Sequence, residues 1–251
     1  MADGRHGPGG VVPRYYLYKA TVSTGFITPI FTLFLLFRQL SYTEIATLSM
    51  VYAVLTVLGE IPTGWVGDRI GRRNSLVVSA VAMVASILGF VVIESYLGLL
   101  VLYVLWAIAL TFRSGSGDAW LYDTLAARDA AGTFTHVRGR GVGIQRAVTV
   151  LGMLVGGWLY SLDPRFPFLA SGALNALAVP VLFSLPQNPQ FETASEEMGI
   201  SLGDTLPTLR THLATPAIGI VVILVAVFVG VAGGTNTYIQ PIAVGPLEFP
   251  E

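Results

Sequence analysis

Cysteine is absent from the 251 residues, which excludes disulfides, thiol catalysis and Cys-ligated zinc. Lysine occurs once, at Lys19, and histidine three times, at His6, His136 and His212. The histidines are too far apart for a ligand spacing, so neither a metal nor another cofactor is expected. Charge is scarce as well. Only 12% of residues are Asp, Glu, Lys or Arg, against about a quarter in soluble domains. That is about half the charge needed to coat a globule, which argues against a water-soluble enzyme. The net charge of −1 points to neither nucleic acid nor a polyanion as a partner.

What is abundant is apolar sequence: 53% of residues, with a mean hydropathy of +0.69. It falls into blocks of about 20 residues separated by short charged clusters, the pattern of a polytopic helical membrane protein. Seven blocks qualify as spans, over 15–37, 43–66, 74–94, 97–124, 141–161, 166–185 and 216–240. They are expected to be helices, because an open chain cannot leave its amides unpaired in lipid. The ten-residue alternation of a membrane β-barrel is not seen. The expected organisation is a disordered cytoplasmic lead over 1–14, a six-helix transmembrane bundle over 15–185, a cytoplasmic linker over 186–215, a seventh transmembrane helix over 216–240 and a tail over 241–251.

Orientation follows from the basic residues. With the N-terminus inside, nine arginines fall on the inner side and two, Arg38 and Arg165, on the outer side. The opposite orientation would reverse that bias. The expected location is the cell (plasma) membrane, multi-pass, with a cytoplasmic N-terminus.

Between spans 2 and 3 stands GWVGDRIGRR, Gly64 to Arg73. Gly64 would let a neighbouring backbone approach closely, and Gly71 would permit a turn with positive φ. Asp68 and Arg72, four residues apart, can meet if the turn is helical. Arg69, Arg72 and Arg73 hold the loop in the cytosol.

This run resembles the cytoplasmic signature of the major facilitator superfamily of secondary transporters, Gly-x-x-x-Asp-Arg-x-Gly-Arg-Arg/Lys between the second and third helices. The resemblance covers all seven spans and the linker after helix six. It implies a gating motif of Gly64, Asp68, Arg69, Gly71, Arg72 and Arg73. It also implies a charge triad in which Asp68 and Arg72 join Asp123, at the end of helix four, to latch the cytoplasmic side. Two features depart from family patterns: the middle of helix four is apolar (LWAIAL), and helix five carries GMLVGG without a proline. Gly152 and Gly156 have small-xxx-small spacing, which supports tight helix packing.

Charges within spans are costly and are functional suspects. The candidates for a cavity or for ion coupling are Glu60, Arg113, Asp118 and Arg146, with Lys19 near the start of span 1. Depth along the helices places Asp118 and Arg146 about level, which predicts an ion pair between helices four and five. Arg113, about 140° round the helix from Asp118, is expected to face elsewhere as a cavity cation. Glu60 is open to two readings, a carrier of a coupled proton or a partner of Lys19. Trp106 and Trp120 are candidate cavity walls.

The superfamily fold has two six-helix halves, so the expected fold is all-α and incomplete: the six-helix N-terminal bundle plus a seventh transmembrane helix. The expected function is transport of a small solute, an organic compound or drug, by alternating access. The short length predicts a truncated or split transporter, with a second chain supplying the other half. The alternative is a non-transporting half-protein that acts by associating with a partner membrane protein. No Lys falls in the last span, which tells against a retinal protein, and no His-Glu-x-x-His or Gly-x-Ser-x-Gly run suggests an intramembrane enzyme.

Overall fold

Proline and glycine decide where this chain stops being helical. In the computed structural model, which describes residues 10–187 together with the isolated helical positions Leu224 and Gly233, all regular structure is helical. The eight α-helices are α1 (Val11–Thr21), α2 (Phe31–Phe37), α3 (Tyr42–Ile70), α4 (Arg72–Val92), α5 (Tyr96–Ala126), α6 (Phe134–Leu162), α7 (Phe166–Ala176) and α8 (Ala178–Phe183). The seventh span, nearly all of the linker and the tail expected from the sequence lie outside the described residues, as do positions 1–9. Five helical stretches among the described residues are long and apolar enough to cross a bilayer: Tyr42–Glu60, Arg72–Val92, Tyr96–Ala126, Ala131–Leu162 and Phe166–Phe183.

The stretch read as span 1 differs most from expectation. Helix α1 begins at Val11, inside the expected lead, because Pro13 sits in its first turn, where no amide donor is needed. Residues 22–30 then leave the helix. Pro29 disfavours helical backbone at Thr28, and its ring would collide with the Gly25 carbonyl in a continuous helix. Bent backbone at membrane depth is tolerated only where protein satisfies its polar groups. Here Gln145 donates to the Val22 carbonyl at 2.8 Å and Asn175 to the Ser23 carbonyl at 2.8 Å, while the Ser23 and Thr149 hydroxyls bond at 3.0 Å. Span 6 divides for a similar reason. The Pro180 ring would meet the Ala176 carbonyl, and α7 ends at Ala176.

Other helices run past the expected ends. Helix α3 opens on a capping box, in which the Ser41 side chain and Glu44 satisfy each other's backbone amides. Helices α3 and α6 have 29 residues each, and α5 has 31. At 1.5 Å per residue they measure about 43–46 Å, longer than the ~30 Å of hydrocarbon.

The core has two apolar clusters. One, around Ile27, Phe34, Phe90, Leu102 and Phe168, surrounds α2 and the α4–α5 turn. The other, around Tyr15, Leu76, Trp120, Leu121 and Leu182, lies at the end bearing the α3–α4 turn. Buried Ser23, Ser171 and Asn175 belong to neither cluster and hold the bent 22–30 segment. Helix α4 packs against α3, α5, α7 and α8, and α1 packs against α6. The glycines of α6 also bring it close to the bent 22–30 segment. A Cβ on Gly152 would lie 3.1 Å from the Phe26 amide nitrogen, and one on Gly156 would lie 2.1 Å from the Phe26 carbonyl oxygen.

Candidate functional site

The ten-residue run Gly64 to Arg73 forms the end of α3, a one-residue reversal at Gly71 and the first turn of α4. Gly71 takes φ 88°, ψ 143°, a conformation that only glycine adopts without strain. The two helices therefore meet with no loop between them. Arg72 stands at the first helical position of α4, where its Nε lies 3.1 Å from Asp123 Oδ2. Its Nη2 lies 3.9 Å from Asp68 Oδ1, within ion-pair range but beyond a hydrogen bond. The Asp123 side chain is 13% exposed and that of Asp68 54%. Arg72 thus makes its closer ion pair with the less exposed acid and leaves Asp68 largely to solvent.

The rest of the signature serves other contacts. The Arg69 guanidinium stacks 3.6 Å from the centre of the Trp65 ring, a cation–π contact. Arg73 Nη1 donates to the Leu185 carbonyl at 3.2 Å. Gly64 does not receive a neighbouring backbone as expected: a Cβ there would meet nothing within 4 Å. Gly67, one turn on, is the crowded glycine, with Ser75 Oγ 3.1 Å from its Cβ position.

Arg73 is one of three donors on consecutive carbonyls just beyond α8. Arg14 of α1 donates to Ser184 at 2.8 Å, Arg73 to Leu185, and Trp120 Nε1 of α5 to Pro186 at 3.1 Å. Trp120 is fully buried and stacks on Tyr15 with 6.3 Å between ring centres. It is therefore a core residue and not the cavity wall expected. Trp106 packs edge-on to Phe31 in the opposite cluster.

The mid-bundle charges are paired differently from the expectation. Asp118 takes Arg138, through Nε at 2.8 Å and Nη2 at 2.7 Å, and not Arg146. The depth argument assumed that helix five began at residue 141, whereas α6 begins at Phe134. Arg138 is therefore helical and near enough in depth for its long side chain to reach Asp118. Arg146 lies eight residues further along α6, about 12 Å by helical rise. It is exposed and has no polar partner among the described residues. Among the described residues Glu60 pairs with neither Lys19 nor another cation. Both its oxygens accept from the Ser114 hydroxyl, at 2.9 and 2.8 Å. Arg113 is partly buried and makes no ion pair with Asp118, whose partner is Arg138.

Among the described residues no group of His, Cys, Asp and Glu is arranged to hold a metal. The sequence reading missed Arg138, placed in a loop, and the clamp of Arg14, Arg73 and Trp120. Of these only Arg138 had a legible signal, because FTHVRGRGVGIQ contains no proline to stop a helix from starting early.

Comparison with known proteins bears on these features. The chain is 26% identical over 157 residues to an uncharacterized MFS-type transporter of Bacillus subtilis, covering 62% of this chain and 38% of that protein. It is 27% identical over 131 residues to an uncharacterized MFS-type transporter of Methanocaldococcus jannaschii, covering 52% of this chain and 32% of the relative. It is 38% identical over 85 residues to the glucose facilitated diffusion protein of Zymomonas mobilis, covering 32% and 18%. In each case the match spans well under half of the relative's own length. The Major Facilitator Superfamily pattern matches residues 20–249. With five apolar stretches long enough to span a bilayer, the chain is an integral membrane protein and belongs to the Major Facilitator Superfamily, a family of transporters and not of enzymes.

Proposed function

We propose that this chain carries the N-terminal six-span bundle, followed by a seventh span over 216–240, of a transporter that moves a small solute by alternating access. The observation that carries the reading is the charged triad where α3, α4 and α5 converge, with Arg72 3.1 Å from Asp123 and 3.9 Å from Asp68. A latch of this kind holds one face of a bundle shut until its charges part. The excess of basic residues in the turns at that end supports a cytosolic position for it and for the N-terminus, in a chain that sits in the plasma membrane on this reading. A second bundle, in this polypeptide or supplied by a partner chain, completes the path. Glu60, on the exposed side of α3 and held only by the Ser114 hydroxyl, is the proposed proton carrier if transport is proton-coupled.

The cysteine-free sequence allows a direct test that needs no known substrate. Gly115 is exposed, with open space around its Cβ position, so Gly115→Cys supplies a unique thiol for a membrane-impermeant maleimide. Arg72→Ala and Asp123→Asn should each raise labelling from the cytosolic side several-fold in membrane vesicles. Unchanged labelling in both would refute the latch. It would favour the alternative, a half-protein that only associates with a partner membrane protein.

A further inference from the structure

Of the five long apolar stretches, those of α3 and α6 are the least covered. Helix α3 packs chiefly on α5, and helix α6 chiefly on α1. Helix α5 is bonded to both, to α3 through Ser114 and Glu60 and to α6 through Asp118 and Arg138. The two therefore form the edges of one side of the bundle. Apolar side chains stand exposed along each edge, among them Val54 and Val57 on α3 and Val150 and Leu154 on α6. Lipid suits those side chains. It does not suit Glu60 and Arg146, which are exposed beside them.

Among the described residues Glu60 has no cationic partner, and Arg146 has no polar partner of any kind. Charge at membrane depth seldom faces lipid and is normally paired with its opposite. These two groups have opposite sign and similar depth. The Glu60 carboxylate is level with Ser114, and the Arg138 guanidinium with Asp118, four residues or about 6 Å nearer the Gly71 end. Arg146, eight residues beyond Arg138 on α6, stands about 12 Å farther from that end. Glu60 and Arg146 therefore differ by about 6 Å in depth, which a long arginine side chain spans.

Within one copy the two charges lie on opposite edges, with α5 between them. A second copy, turned about an axis along the membrane normal opposite α5, brings α3 of each onto α6 of the other. That contact is self-complementary, because Glu60 of each copy meets Arg146 of the other. Pairing α3 with α3 would set Glu60 against Glu60, and pairing α6 with α6 would set Arg146 against Arg146. Like charges away from water repel strongly, so only the α3–α6 arrangement is favourable. Gly64 on α3 and Gly143 on α6 have open space at their Cβ positions, which lets the backbones approach closely along the seam.

We propose that the chain associates with a second copy of itself through these two edges, with Glu60 of each paired to Arg146 of the other. The inference rests on the transport reading above and names the source of its second bundle.

The test co-expresses two copies of the full chain with different affinity tags. Capture of one tag measures the other, and subunit counting in lipid nanodiscs gives the number of copies. Wild-type copies should capture each other as dimers. Glu60→Arg alone and Arg146→Glu alone should each lower capture about tenfold, because each sets like charges together in both contacts. A Glu60→Arg copy expressed with an Arg146→Glu copy should recover capture, because both contacts are then of opposite charge. The double change Glu60→Arg/Arg146→Glu should recover it as well. Where a single charge reversal yields no folded protein, Glu60→Gln and Arg146→Gln take its place and should weaken capture. A wild-type chain that is monomeric in nanodiscs overturns the proposal. So does capture that is indifferent to the single changes, or lost capture that neither the mixture nor the double change recovers. A monomeric chain whose Gly115→Cys labelling still responds to Arg72→Ala and Asp123→Asn overturns the self-association and leaves the transport reading standing. A charge-dependent dimer whose labelling does not respond has the opposite meaning.

Discussion

Gly156→Ala and Gly157→Ala add the same methyl group to adjacent residues and should have different outcomes. A Cβ on Gly156 would lie 2.1 Å from the Phe26 carbonyl oxygen, 2.7 Å from its carbon and 2.8 Å from its Cα. All three are backbone atoms, so no side chain can rotate away. To reach an ordinary separation of about 3.5 Å, α6 and the 22–30 segment must part by about 1.4 Å. Along the same seam Gln145 bonds the Val22 carbonyl at 2.8 Å and Thr149 bonds Ser23 at 3.0 Å. A shift of that size takes both beyond useful hydrogen-bond length. Overpacking costs about 1–3 kcal/mol, and an interhelical hydrogen bond in a membrane is worth about 0.6–1.7 kcal/mol. Gly156→Ala should therefore destabilise by about 2–4 kcal/mol. A Cβ on Gly157 meets nothing within 4 Å, so that variant should stay within about 0.5 kcal/mol of wild type. Equilibrium unfolding by SDS in mixed micelles reads both. The packing argument fails if Gly156→Ala is as stable as Gly157→Ala.

Two further predictions concern the polar contacts. A double-mutant cycle on Asp118 and Arg138 should give a coupling of about 0.5–1 kcal/mol, since both side chains are about half exposed, at 46% and 48%. The Asp118–Arg146 cycle should give about zero, and the reverse ranking would rule out the observed pairing. Asn175, 2% exposed, donates to the Ser23 carbonyl at 2.8 Å and to the Ser171 carbonyl at 2.9 Å. Asn175→Ala should cost about 1–2 kcal/mol in the same unfolding assay. Asn175→Asp should cost more, because it sets a carboxylate against the same carbonyls, and equal losses would show that the amide donor is not what matters.

The helical class was legible because hydropathy and backbone satisfaction in lipid leave few alternatives. The reversal at Gly71 was legible as well, because a glycine between two long apolar helices has a backbone reason to be there. Helix ends were less legible. Hydropathy reports where a helix leaves the hydrocarbon and not where it stops, so α6 was started at 141 although it runs from Phe134. That displacement of seven residues is about 10 Å of helical rise, enough to select Arg146 in place of Arg138. The division of span 1 was hidden for a different reason. Ser23, Thr24, Gly25 and Pro29 are common enough within membrane helices. Only their partners on α6 and α7, Gln145, Thr149 and Asn175, over 120 positions away in sequence, make the bend affordable.

Two arginines at the start of α4 sit against the helix dipole, whose N-terminal end disfavours positive charge. Their partners account for the placement. Because Gly71 turns α3 directly into α4, Arg72 and Arg73 occupy the first two helical positions and diverge by about 100°. One is directed to Asp123, at the far end of α5. The other is directed to the Leu185 carbonyl, just beyond the negative C-terminal end of α8. A carboxylate and the negative end of a helix thus compensate two cations that α4 alone would disfavour. Trp120 joins the same carbonyl run from α5, three residues before Asp123. The start of α4 and the inner part of α5 are thereby both bonded to the backbone just beyond α8. Residues 184–186 cannot shift against α4 and α5 without breaking the Arg73 and Trp120 bonds. Those bonds couple residues 184–186, just beyond α8, mechanically to the helices that hold Arg72 and Asp123 together.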